Sequence, residues 1–507
     1  MAATCTLIAL VHLTSARLTG VECKNTEQND TTIGGHLSSM RVGLGNKLAY
    51  GFGSVAFGVK NNGFDYFLLF FYSQVMGVSA SLVSTALAIA LVFDAISDPL
   101  IGFFSDNTRT RWGRRHPYMY SAAVPVTLCY FFLWNPPGQL SGDELFPFLV
   151  AISVLVRTLI TVYEIPSSAL VAEMTDDYDE RTSLLSYRFF FGWSGGTIMA
   201  TVATLVLLVP TAEISDGMFN IAGYQQMGFV AAGFIFVAIM VSALGTHRLI
   251  PNLKAPPPKR ELSIRTIYRE IFDTLATRSF AALFLSAMCG AVATGMVASL
   301  AYLLYTFLWG FTAQQIGYIS ASVVISAVLA LLISPVISKT LGKKRGAIAV
   351  GILAFTVNPA PIVLRLFDLM PENGDPILFP LYLGIIVVDV ALIIVYQTLG
   401  SSMIADLVED AEVRTNKRSE GVFFASVTFI RKTTQGIGVV AAGLLLTYSE
   451  FPEGVTPDQV PVSVVHDLAT IYVPVVILLW SLMILCISMY QVDRTKHEEN
   501  LQTLGRG

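Results

Sequence analysis

LVSTALAIALVFDAISDPLIGFF, residues 82–104, carries only two charges, Asp94 and Asp98. The run is long enough to cross the hydrocarbon core of a bilayer as a helix. An i, i+4 spacing sets both carboxylates on one helix face, about 6 Å apart along the axis. One acid at mid-membrane costs about 2.5–3.5 kcal/mol on insertion scales, and a second adds like-charge repulsion. A chain that keeps both acids implies a compensating cation, a proton or a basic partner. Two readings follow: a buried pair satisfied by local hydroxyls, or a cation or proton site on a transport path.

The rest of the chain suits such a helix. Of 507 residues, 54% are hydrophobic and 13% are charged, against about 25% charged in soluble domains. This is the composition of an all-α protein that crosses the membrane many times. Twelve apolar runs lie at 48–75, 82–105, 117–136, 146–174, 184–210, 226–248, 280–308, 314–338, 346–366, 378–404, 421–447 and 468–491. Loops 106–116, 249–279, 339–345 and 405–420 are rich in Lys and Arg, whereas 76–81, 137–145, 211–225, 309–313 and 448–467 have none. The positive-inside rule then puts both termini and segment 249–279 in the cytoplasm of a multi-pass plasma membrane protein, expected in a bacterial inner membrane. Residues 1–40 share nothing with this pattern; they read as a disordered leader or as sequence upstream of a start at Met40. The expected division is 41–248 and 280–491 for two six-helix halves, with 249–279 between them and a cytoplasmic tail at 492–507. The five cysteines show no metal-ligand or disulfide spacing, and neither a cofactor nor a nucleic-acid partner is expected.

The halves repeat. VYEIPSSALVAEMTDDYDERT (162–182) and VYQTLGSSMIADLVEDAEVRT (395–415) share seven identities at a constant offset of 233, and each copy ends an apolar run. Gly113-Arg114-Arg115 and Gly342-Lys343-Lys344 follow the second and eighth runs. Two parallel six-helix repeats with a site between them are the architecture of major facilitator transporters. Within the repeat, Asp177, Arg181, Asp410 and Arg414 form a symmetric set that reads either as a solvated face or as a cytoplasmic gate between the halves.

Four stretches narrow this further: YGFGSVAFGVKNNGFDYF (50–67), FDAISDP (93–99) with SDNTRTRWGRRHP (105–117), YEIP with AEMTDDYDERTSLLSYRFF (163–190), and ADLVEDAEVRTNKRSEG with FIRKTTQGIG (405–438). They resemble the glycoside–pentoside–hexuronide:cation symporter family, the melibiose permease-like branch of the major facilitator superfamily. The resemblance implies a monomeric symporter of a small-molecule solute, a glycoside or sugar. The coupling ion would be Na⁺, Li⁺ or H⁺, bound by Asp94, Ser97, Asp98 and Thr161, with Asp94 and Asp98 as the metal ligands if it is Na⁺. It also implies a solute site at Glu164, Arg188 and Lys432. Lys60, Asn61 and Asp65 are the candidates for the family's basic and acidic pair on the first helix, and Gln397 is the repeat partner of Glu164. Carboxylate and guanidinium groups suit sugar hydroxyls, which both donate and accept. For Arg188 with Glu164 the rival reading is a plain buried ion pair. Lys432 also reads as a tethered counter-charge for Asp94 and Asp98.

The departures are specific. The family's aromatic sugar platforms fall at Ser168 and Gln397, which argues against a galactoside. Arg157 reads as an outer-half arginine whose charge snorkels to the interface, and Arg431 has no role. The runner-up is a sodium-coupled lipid or lysolipid carrier. A membrane enzyme or sensor is remote, because the chain has no nucleophile–base set, phosphate loop or output domain.

Overall fold

The computed structural model describes residues 42–175, 178–253, 278–415 and 420–491. Twelve helices cross the membrane: α1 (44–75), α2 (Ala80–Asn107), α3 (His116–Trp134), α4 (Phe146–Ala169), α5 (Tyr178–Val202), α6 (Ile221–His247), α7 (Arg278–Leu303), α8 (Ala313–Leu341), α9 (Lys343–Val357), α10 (Leu378–Thr415), α11 (Glu420–Tyr448) and α12 (Val462–Ser488). Each corresponds to one of the twelve apolar runs. Among the described residues, nine helices are long and apolar enough to span a membrane unaided. The others are α1, α3 and α11, and α1 is interrupted by π turns at Gly63–Phe67 and Phe71–Val75. The leader, residues 254–277 of the middle segment and the 492–507 tail lie outside the described residues.

The 233-residue offset extends beyond the motif that revealed it. A π turn ends α1 at Phe71–Val75, and another continues α7 at Leu304–Leu308. The wide bonds closing them, Met76 N to Phe71 O at 2.9 Å and Trp309 N to Leu304 O at 3.2 Å, are the same bond in two copies. Gly77 and Gly310 follow at φ 70° and 62°. A side chain there would be held in a region that only glycine occupies freely, so glycine lets the chain reverse at once.

The halves meet where α2 packs on α11, α5 on α8, and α1 on α7. The first two contacts exchange under the pseudo-twofold, and the third maps onto itself. The α2–α11 crossing is close because Gly443 has no side chain: a Cβ there would sit 1.6 Å from Ser84 Oγ, and one on Gly436 would sit 2.7 Å from Leu91 Cδ1. At the α1–α7 crossing the seam is aromatic. Phe67 stands edge-on to Tyr302 with centroids 4.7 Å apart, Tyr66 lies 5.8 Å from Tyr302, and Phe307 lies within 6.4 Å of Phe70 and 6.1 Å of Phe219. Beyond it Gly454 N donates to Ser73 O at 3.1 Å. These approaches fall on the side whose loops lack Lys and Arg. The aromatic run Phe67–Tyr72 is buried packing, whereas Phe189 and Phe190 are exposed.

On the basic-loop side each half is tied within itself. Glu173 accepts from Arg115 Nε at 2.7 Å and from Arg114 at 2.9 Å, and Arg115 also bonds Ser105 and Asp106. Asp406, the repeat partner of Glu173, accepts from Lys343 at 2.6 Å. The two sequence repeats, an acid ending the fourth and tenth runs and a basic pair after the second and eighth, thus meet in each half: Glu173 with both arginines in one, Asp406 with Lys343 in the other.

Candidate cation and solute site

Helix α2 packs lengthwise on α4, and this contact buries Asp94 to 4% exposure. From α4, Thr161 Oγ1 stands 3.0 Å from Asp94 Oδ1 and 3.0 Å from Asp98 Oδ1. A hydroxyl has one proton to give, so Thr161 donates to one of the two carboxylates at a time. Two carboxylates and a hydroxyl converging from two helices form an oxygen cage suited to a hard monovalent ion. Ser97 donates its hydroxyl to its own helix, to Asp94 O at 3.2 Å.

Arg157 overturns its sequence reading. It is buried, not snorkelled: its guanidinium meets Asp94 Oδ2 at 3.1 Å and lies 4.6 Å from the centroid of Phe64 on α1. The signal was present in the sequence, since Arg157 precedes Thr161 by four residues and shares its helix face. Asp389 on α10 is another buried acid, one that sequence reasoning missed. Asn358 Nδ2 donates to its Oδ2 at 2.6 Å, and its Oδ1 has no hydrogen-bond partner. Tyr305, Tyr382 and Tyr472 line the same cavity of about 50 Å³.

One turn along α4 from Thr161, Glu164 is half-buried. Arg188 reaches this turn from α5 and is itself buried. Its fork donates to Ser167 Oγ at 3.1 Å, to Ser168 Oγ at 2.6 Å and to the backbone carbonyl of Glu164 at 3.4 Å. Tyr50 and Phe57 of α1 lie 5.7 and 5.4 Å from the guanidinium. Ser168, where an aromatic platform was expected, therefore holds the arginine in place. Lys60 is buried on α1, Asp65 is half-buried in the π turn that follows, and Asn61 points to an exposed face. Gln397 is exposed on α10. The side chains of Arg181, Asp410, Arg414 and Lys432, and all of Asp177, lie outside the described residues.

A bundle of two six-helix repeats with an acid pair inside it, Asp94 buried and Asp98 half-buried, is built as a secondary transporter, not as an enzyme. The chain belongs to the family described as MFS/sugar transport protein, which matches residues 49–494. It is 25% identical to an uncharacterised symporter of Synechocystis over 84% of this chain and 89% of that one. It is 24% identical to the isoprimeverose transporter of Lactiplantibacillus pentosus over 84% of each. A bacterial homologue of the lysosomal transporter Spinster shares the fold at a TM-score of 0.59 and 12% identity, with 91% of this chain and 97% of that chain covered.

Proposed function

We propose that this protein is a cation-coupled symporter of a glycoside or related polyhydroxylated solute, working by alternating access in a bacterial inner membrane with both termini and the basic loops cytoplasmic. The observation that carries the reading is the convergence of Asp94, Asp98 and Thr161, one helical turn from the Glu164–Arg188 region. Cation and solute then bind within reach of one another on α4, so each favours the other by the same factor. Lys60, Asp65 and Lys432 complete the solute site, and Asp177, Arg181, Asp410 and Arg414 lock the cytoplasmic ends in the outward-open state. The closed aromatic seam then belongs to the external face. Uptake into proteoliposomes tests the reading, using a panel of glycosides, pentosides and uronates under separate Na⁺, Li⁺ and H⁺ gradients. Accumulation of one sugar class under one gradient is the expected result. Uptake of a lysophospholipid and of no sugar would replace the solute class.

Two further outcomes follow. Glu453→Cys should be labelled by an impermeant reagent added outside sealed cells, and Lys417→Cys should not; the reverse pattern inverts the topology. Gly443→Val should cut uptake at least tenfold while solute binding to the purified protein stays within about threefold, because the added side chain meets Ser84 only when this seam closes. Unchanged uptake would mean that the seam need not close during transport.

A further inference from the structure

Among the described residues three arginines are buried, and they are not equally satisfied. Arg115 meets Glu173, Asp106 and Ser105. Arg188 meets Ser167, Ser168 and a backbone carbonyl. Arg157 has one polar contact, the 3.1 Å bond to Asp94 Oδ2, and its Nε is buried without a hydrogen-bond partner. A guanidinium carries five donors. Taking it out of water for one acceptor leaves much of its desolvation unrecovered. An arginine kept only to hold the fold would be expected to resemble the other two. Arg157 instead meets the acid pair through a single bond to one carboxylate.

We propose that Arg157 is the resident cation of this site. Its guanidinium offsets Asp94 when the coupling ion is absent, and the arriving ion joins it in offsetting the two acids. The inference rests on the symport reading. A symporter must return empty through the membrane, and an uncompensated buried acid opposes that step. Arg157 supplies the charge for the return, whereas the loaded carrier has the ion itself. Its loss should therefore slow the empty return and spare movement of the loaded carrier.

The test compares two fluxes in proteoliposomes at saturating solute and cation: net uptake, which needs the empty return, and solute exchange, which does not. In Arg157→Gln the ratio of exchange to net uptake should rise about tenfold or more over the native protein. Arg157→Lys keeps a charge but not the fixed fork, and should raise the ratio by about two- to threefold. An unchanged ratio in Arg157→Gln, with both fluxes falling together, overturns the inference, as does a lysine variant that matches the glutamine one. If Arg157→Gln cannot be recovered folded, Arg157→Lys decides, and no rise overturns the inference. Native uptake indifferent to Na⁺, Li⁺ and H⁺ gradients would instead sink the symport reading.

Discussion

Asp94→Asn is expected to abolish cation-driven accumulation and to lower the melting temperature, whereas Asp98→Asn abolishes accumulation with a smaller loss of stability. On the symport reading, each substitution removes a proposed oxygen ligand and half of the negative charge of the site. They differ in what they leave behind. Asp94 is the ion-pair partner of buried Arg157, and breaking a buried pair from one side costs about 3–5 kcal/mol because the remaining charge is uncompensated. Thr161 bonds both acids at the same distance, so it does not separate the two variants. Uptake against a solute gradient and thermal unfolding in detergent read the two effects independently. Full cation-dependent accumulation in both variants would remove the acid pair from the coupling mechanism, and equal melting temperatures would show that the Arg157–Asp94 pair contributes nothing to stability.

Glu164→Gln is expected to weaken solute binding about ten- to hundredfold, with cation affinity measured without solute changing much less. A sugar hydroxyl that loses its anionic acceptor, or a buried acceptor left unpaired, costs about 1–3 kcal/mol, which converts to that range. Gln397, at the matching place in the other half, carries no charge with which to compensate. Arg188→Ala should lower solute affinity similarly. It should also lower stability, since the guanidinium ties α5 to the Ser167–Ser168 turn of α4. Calorimetry with solute and with cation separates the roles. A large loss of cation affinity with solute affinity retained would move Glu164 into the cation cage.

The twelve helices were legible because hydropathy and loop charge are long-range signals, averaged over some twenty residues each. The acid pair was legible for the opposite reason, as two charges where none belong. The π turns were not legible: they arise from tertiary packing around Phe71 and Leu304, and no local residue type demands them. Arg157 was misread because a sequence shows how deep an arginine lies in a run more readily than which neighbour its face meets. Its i, i+4 relation to Thr161 held the answer, but that relation gains meaning only once α2 is known to lie against α4. Asp389 carried its own signal, a lone acid in an apolar run, and its surroundings come from three other helices. The pairing of Glu173 with Arg114 and Arg115, and of Asp406 with Lys343, joined two repeats that were each visible alone.

The aromatic seam between α1 and α7 bears on the energetics of the transport cycle. Parting Phe67 and Phe70 from Tyr302 and Phe307 uncovers ring surface that now faces other rings. Such side chains bury about 150–250 Å² each. At about 25 cal/mol per Å², uncovering some 200 Å² in all costs about 5 kcal/mol. That is a bias of several thousandfold toward the shut face, before any solute or ion has bound. On the proposed topology this is a cost of opening the external mouth, which the contacts that close the cytoplasmic side in the outward-open state must offset. Trimming one ring of the seam would shift the balance between the two faces without touching any ligand contact.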